Sequence, residues 1–219
     1  MIKAKSLTID LLLFDLDGTL ADTKEDLATA VNLTLRDYGV PEHPRERIYE
    51  FVGDGVRPLL ARAFESRGAQ VFDEALGVFR RHYLEHLLDA TRLYPGVEAV
   101  LTHFAGKKKG VVTNKPIEYT IKLIEGLGAR ARFDVIVGGN STPHLKPHPA
   151  MIERALGTVG IKPERAVMIG DNVNDIHAAR AAGVHSVAVG YGLGNPAVLK
   201  AAGPDFFCER LEEVIDLFS

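Results

Sequence analysis

The stretch Phe14-Asp15-Leu16-Asp17-Gly18-Thr19-Leu20-Ala21-Asp22 decides how this chain reads. It comes after Leu11, Leu12 and Leu13, so an apolar run ends in two carboxylates two residues apart and then breaks at Gly18. A short apolar run closed by a glycine turn reads as a buried strand delivering acids to its C-terminal tip. In an open parallel sheet, ligands bind beyond such tips. One aspartate there can attack an electrophile covalently, while a neighbour of like charge can hold a proton. The competing reading is an acidic strand-to-helix turn, with Asp22 and Glu25 as a helix N-cap pair and Gly18 as turn punctuation. It accounts for Asp22, Thr23 and Glu25. It does not account for Asp15 directly after four apolar residues, where an unpaired charge is costly.

Beyond this first strand, read as Ile9–Phe14, the pattern is helical through Thr91. Leu27, Ala30, Val31 and Leu35 recur at helical spacing over Asp26–Tyr38, and Gly39 and Pro41 end the run. Further helices are expected from Val56 to about Arg67 and from Val71 to about Asp89. From Pro95 the pattern alternates. Helix Val97–Phe104 precedes strand Gly110–Thr113, and helix Ile117–Leu127 precedes strand Val135–Val137. Helix Pro149–Val159 leads to strand Ala166–Ile169, and helix Val173–Ala182 to strand Ser186–Val189. A short helix near Ala197, a short strand at Phe206–Phe207 and a C-terminal helix complete the chain. Strands separated by helices of this length indicate crossover units and a parallel sheet. The expected architecture is an α/β core, residues 1–22 and 92–219, with a small helical domain, 23–91, inserted after the first strand.

Composition narrows the function. The chain has 219 residues, 46% hydrophobic, enough for a core domain with a smaller one attached. A net charge of −3 and a pI near 6.2 give no electrostatic case for nucleic acid or an anionic membrane. The single Cys208 forms no intrachain disulfide, which fits a reducing compartment. Lys3 and Lys5 precede the first apolar run, but that run is too short and too acid-bounded for a signal-peptide core, and no stretch approaches a membrane span. A soluble, cytoplasmic protein is expected.

Other strand tips also carry chemistry. Thr113-Asn114-Lys115-Pro116 places a hydroxyl and free N–H groups before a helix, as a phosphate cradle or as ordinary helix capping. Lys146 lies in Leu145-Lys146-Pro147-His148-Pro149, where the prolines stiffen the backbone, so its charge can neutralise a phosphoryl group. Gly170-Asp171-Asn172-Val173-Asn174-Asp175 sets Asp171 and Asp175 one helical turn apart on one side. Hard oxygen ligands so arranged suit Mg²⁺. Taken singly, each has a structural reading; together, three strand tips and a loop lysine converge on one edge of the sheet, which argues for catalysis.

Three patterns are read as decoys. His82-Tyr83-Leu84-Glu85-His86 matches an inverted zinc-peptidase motif, but no third ligand accompanies it, and exposed helix histidines are the better reading. Gly190-Tyr191-Gly192-Leu193-Gly194 imitates a dinucleotide loop without the strand–helix context. Gly53-Asp54-Gly55 reads as a turn between two helices that can face the active site. The run Lys107–Lys109 reads as a solvated turn beyond a helix.

Asp15-Leu16-Asp17-Gly18-Thr19, Thr113, Lys146 and Gly170-Asp171…Asp175 resemble the four ordered motifs of the haloacid dehalogenase superfamily. The resemblance spans essentially the whole chain. It implies a modified Rossmann core with sheet order 5-4-1-2-3 and an all-helical cap of the kind inserted after the first motif. It implies Asp15 as the nucleophile that forms an aspartyl-phosphate, and Asp17 as the acid for the leaving oxygen and then the base for water. Mg²⁺ is implied at the Asp15 carboxylate, the Asp17 main-chain carbonyl and Asp171. Gly18, Thr19, Thr113, Asn114 and Lys146 are implied as phosphoryl ligands, with Asp175 supporting Lys146 or a metal-bound water. The acid at Asp17 sets the chain apart from dehalogenases, whose halide leaving group needs none.

Within the superfamily the chain most resembles phosphoglycolate phosphatases, through Val52-Gly53-Asp54-Gly55, Leu59…Arg62-Ala63, Tyr94-Pro95-Gly96-Val97, Val111-Val112-Thr113-Asn114-Lys115-Pro116 and Gly138-Gly139. Asn140 stands where that family usually has Asp, and Asn172 replaces a frequent Ser. The implied partner is a small phosphorylated metabolite, and Arg45, Asp54, Arg57 and Lys115 are candidates for the shell that selects it. β-Phosphoglucomutase-like mutases, sugar-phosphate phosphatases and pyrophosphatases share the motifs. A phospho-acceptor binding module also puts acids at strand tips, but the cap insertion and Asp17 speak against it. Sequence leaves open the substrate, the metal in vivo and the oligomeric state.

Overall fold

A computed structural model of the chain describes residues 7–65 and 72–219. The expected helix ends at Arg67 and Val71, like Lys3 and Lys5, lie outside them. In chain order the elements are β1 (Leu11–Phe14), β2 (Ala21–Asp22), α1 (Lys24–Asp37), α2 (Arg45–Tyr49), α3 (Val56–Phe64), α4 (Phe72–His86) and β3 (Arg92–Leu93). Next come α5 (Val97–His103), β4 (Lys108–Val112), α6 (Ile117–Gly126), β5 (Val135–Val137), α7 (Ala150–Val159), β6 (Ala166–Gly170), α8 (Val173–Ala182), β7 (His185–Val189), α9 (Pro196–Ala201), β8 (Phe206–Cys208) and α10 (Val214–Leu217).

Six strands form one parallel sheet in the order β5-β4-β1-β6-β7-β8. Counted along the core, this is the expected 5-4-1-2-3 order with β8 added outside β7. All four residues of β1 are fully buried because the strand is central and covered on both faces. Side chains alternate across the sheet. Leu11 and Leu13 pack with Met151 and Ile152 of α7, whereas Leu12 and Phe14 join the core that holds Val97 of α5 and Leu123 of α6. The chain runs to opposite sides of β1 on its way to β4 and to β6, so the tip of β1 lies at a switch point of the sheet.

β2 and β3 pair antiparallel, Ala21 with Leu93 and Asp22 with Arg92, where the chain enters and leaves the helical segment. Two-residue strands are too short to show alternation in sequence. Asp26, buried on α1, fastens the returning chain by accepting from the Ala90 and Thr91 N–H groups and the Thr91 hydroxyl. Tyr83 of α4 meets Tyr119 of α6 edge-on at 5.2 Å, carrying apolar packing from the helical segment into the core.

Some local expectations are corrected. Asp22 and Glu25 make no capping pair: Thr23 is the N-cap of α1, without a side-chain cap bond, and its hydroxyl donates to Asp17 Oδ1 at 2.6 Å. Glu25 instead accepts from Tyr49 and Arg45. The run Lys107–Lys109 is not a solvated turn, because Lys108 and Lys109 belong to β4 and Lys109 is buried. Its ammonium finds carbonyl partners on Phe104, just past α5, and Lys107, at 2.8 and 2.7 Å. The helix α2 has no counterpart among the expected elements. Among the described residues, no helix is long and apolar enough to cross a membrane.

Candidate active site

Main-chain bonds carry the ladder one residue past each central strand and so fix the first residue of each tip. Asp15 N–H donates to Ile169 O at 2.9 Å, and Thr113 N–H to Val137 O at 3.0 Å. Asp15 therefore leaves the tip of β1 between the tips of β4 and β6, with Thr113 on one side and Asp171 on the other. Lys146 reaches the same point from the loop before α7. Its ammonium donates to Val112 O at 2.7 Å and Asp175 Oδ1 at 2.5 Å and forms an ion pair with Asp15 Oδ1 at 3.1 Å. The Asn114 side chain stitches this loop to the β4 tip, accepting from Lys146 N–H at 2.8 Å and donating to Lys146 O at 3.0 Å.

At the tip of β6, Asn172 caps α8 by accepting from Asn174 N–H, and Asp175 accepts from Asn172 N–H at 3.0 Å. That capping box orients Asp175 toward Lys146. Asp171 accepts from the Thr19 hydroxyl at 2.9 Å and from Leu193 N–H at 2.7 Å. Gly18 has φ +84°, and a Cβ there would lie 2.1 Å from Asp171 Oδ2, so only glycine lets the first motif approach this acid.

The site is buried and rich in negative charge. Asp15, Asp171 and Asp175 each bring a carboxylate oxygen within 4.8 Å of the others, against one ammonium, that of Lys146. Burial, then the charges of Asp15 and Asp175, push Asp171 up to about 7. Burial raises Asp175 to about 6 despite the opposing pull of Lys146. Burial works against the Lys146 charge as well, but the two neighbouring carboxylates outweigh it and its pKa rises. Hard oxygen donors with uncompensated negative charge fit a divalent cation of the Mg²⁺ kind. Of the three, Asp15 and Asp171 line the cavity at the strand tips and Asp175 does not.

Of the candidates for substrate selection, the structure brings two toward this centre. Lys115 is buried and donates to both Asp17 oxygens, at 2.9 and 3.1 Å. Asp54 pairs with Arg62 and accepts from Asn174 of α8 at 2.8 Å. Its neighbour Gly53 accepts from Asn114 at 3.1 Å, so the turn between α2 and α3 does face the strand tips. Arg45 pairs with Glu25 and Arg57 with Asp73, both exposed, and neither lines the cavities in front of Asp15. Asn140 caps α6 by accepting from Ile117 N–H and donating to Glu118. His82 and His86 are partly buried rather than exposed, and they pair with different carboxylates, Asp37 and Asp89.

Sequence reasoning missed the loop after β7. Gly190-Tyr191-Gly192-Leu193-Gly194 wraps Asp171: Leu193 supplies its N–H, Tyr191 OH donates to Thr19 O at 2.7 Å, and a Cβ on Gly192 would lie 2.4 Å from Asp171 Cβ. The signal was the spaced glycines, whose close approach is to a strand-tip acid and not to a dinucleotide.

Chemically, the arrangement offers a carboxylate with a clear face at Asp15, a second acid beside it, a fixed ammonium and a place for a cation. A family model described as haloacid dehalogenase-like hydrolase matches residues 12–189. A phosphoglycolate phosphatase of Chromobacterium violaceum is 38% identical over 211 residues, covering 93% of this chain and 94% of that protein. The crystal structure of a predicted phosphoglycolate phosphatase from Haemophilus somnus superposes with a TM-score of 0.89 at 30% identity, over 94% of this chain and 96% of that one. A mutant of CbbY from Rhodobacter sphaeroides, in complex with xylulose-(1,5)bisphosphate, gives 0.83 at 26% identity, over 97% and 100%.

Proposed function

The chain belongs to the haloacid dehalogenase-like hydrolases, and from that premise we propose that it is a cytoplasmic, Mg²⁺-dependent phosphomonoester hydrolase whose substrate is 2-phosphoglycolate. The observation that carries the reading is the placement of Asp15, at the switch point of the sheet, with Lys146 ion-paired to it and Asp17 two residues on.

In this reading an Asp15 oxygen attacks phosphorus, the ester oxygen departs with the proton of Asp17, and the phosphoryl group rests on Asp15 as an acyl phosphate. Asp17 then takes a proton from water as that water attacks phosphorus, which restores Asp15 and releases phosphate. Thr113, the Asn114 N–H and Lys146 hold the phosphoryl oxygens, and Asp175 keeps Lys146 in place. The implied Gly18 and Thr19 have their donors engaged, the Gly18 N–H by Ala21 O, the Thr19 N–H by Leu16 O and the Thr19 hydroxyl by Asp171. The Asp15 carboxylate, the Asp17 carbonyl and Asp171 would hold Mg²⁺, which would supply charge neutralisation at the phosphoryl group. Residues 23–91 serve as the cap, and its turn at Gly53 and Asp54 closes over the strand tips against Asn114 and Asn174.

The test is Mg²⁺-dependent phosphate release from a panel of small phosphoesters. Rapid release from 2-phosphoglycolate, stopped by a chelator, is the expected result. Isomerisation of a sugar phosphate without phosphate release would replace the hydrolase by a mutase. Preferential hydrolysis of a sugar bisphosphate, the ligand in the similar CbbY structure, would keep the chemistry and move the substrate.

Metal binding also carries a pH signature. An acid raised from 3.8 to about 7 takes up protons on folding, so Asp171 lowers the stability of the metal-free protein as pH climbs through that window. A cation at Asp171 removes this penalty and stabilises by mass action. The Mg²⁺-induced rise in Tm is therefore expected to be larger above about pH 7 than near pH 5, as thermal unfolding with and without the metal would read.

A further inference from the structure

Lys115 is more than a companion of Asp17. Its main chain is pinned, with the N–H donating to Thr113 Oγ1 at 3.3 Å and the carbonyl accepting from Gly139 N–H at 2.8 Å. The ammonium spends two of its three donors on Asp17. The third lies beside the face of Tyr83, whose ring centre is 4.5 Å from Nζ, and among the described residues no oxygen or nitrogen accepts it. Asp17 balances the ammonium charge, and the third donor, which meets only an aromatic face, can still turn to an oxygen acceptor in the cavity. Lys115 lines the cavity in front of Asp15 and Asp17, and among the described residues it is the only cationic side chain there. The other walls bring Leu27, Val56 and Leu59, which offer nothing to a hydroxyl or an amine.

Resting on the phosphomonoesterase reading, we propose that Lys115 is the specificity residue of this site and binds the carboxylate of a substrate whose leaving group is a short 2-hydroxycarboxylate. Asp17 is the acid for the ester oxygen in that reading. A carboxylate one carbon from that oxygen comes next to the group that holds Asp17, where the spare donor receives it. A polyhydroxylated leaving group would instead press its hydroxyls on the apolar walls and lose their hydrogen bonds to water. The cavity thus offers one cation beside Asp17 and an apolar wall of Leu27, Val56 and Leu59.

The experiment compares 2-phosphoglycolate with ethyl phosphate, which has the same number of carbons and no carboxylate, in the wild-type enzyme and in Lys115→Met and Lys115→Arg. In the wild type, kcat/KM is expected to favour 2-phosphoglycolate by on the order of 10²-fold, as for a buried charge-paired contact. Lys115→Met should collapse that preference to within a few-fold, chiefly through KM for phosphoglycolate, and Lys115→Arg should restore part of it. An equal loss on both esters would assign Lys115 to positioning Asp17 alone and overturn the proposal. A wild-type ratio near one, with both esters hydrolysed, would overturn it without any variant. No metal-dependent hydrolysis of either ester would sink the phosphomonoesterase reading itself, which is a different result from a lost preference.

Discussion

Lys146→Ala is expected to destabilise the fold by about 3–5 kcal/mol at neutral pH and to leave almost no activity. The side chain is buried, and its ammonium is the ion-pair partner of both Asp15 and Asp175. Removing it strands two carboxylates in a low-dielectric site, and it is the orphaned charge, not the lost contact, that costs most. The acids set the sign of the pH dependence. Asp175 already sits near 6 with Lys146 present, and loss of the ammonium moves it further up. The variant should therefore recover much of its stability as pH falls below about 6 and the carboxylates protonate, where urea denaturation would show its curve approaching that of the wild type. A uniform deficit at all pH values would mean that lost packing, and not charge, explains the effect.

Asp15→Asn is expected to lower kcat by a factor on the order of 10⁴ or more while the folded state persists. The amide keeps the shape and the main-chain ladder bond to Ile169 but cannot attack phosphorus. It also relieves the crowding of Asp15, Asp171 and Asp175, so the metal-free variant should melt no lower than the wild type, and above it at pH values where Asp171 is ionised. Lost turnover together with retained or raised Tm separates a nucleophile from a structural acid. Steady-state phosphate release and thermal unfolding on one preparation make the comparison.

What was legible in the sequence depends on the range of the interactions behind each feature. The sheet was legible because each core strand is a short apolar run ending in a polar tip, and Val135–Val137 and the helix Val173–Ala182 agree residue for residue with the fold. Strand order was not a matter of periodicity; it came with the four ordered motifs. Asp15, Asp17, Thr113, Lys146, Asp171 and Asp175 are drawn together because strand tips of one parallel sheet share an edge, which makes their convergence a property of topology. The features that stayed hidden depend on contacts between distant segments. Lys109 reads as a solvated charge until the carbonyls of Phe104 and Lys107 come within reach. The glycines after β7 acquire meaning only when Asp171 lies beneath them, and α2 is too short for a periodic signal. Arg45 and Arg57 attract notice as cations of the helical segment, but neighbouring acids hold both at the surface, whereas Lys115 is carried inside by the β4 tip.

The measurement that tests the central claim most directly is rapid chemical quench with 2-phosphoglycolate labelled in its phosphoryl group, Mg²⁺ and excess enzyme. The account predicts a protein-bound label that appears before free phosphate, is released by hydroxylamine as acyl phosphates are, and maps to the peptide containing Asp15. Phosphate released at the wild-type rate with no labelled protein at any time, or with the label on another residue, would contradict it.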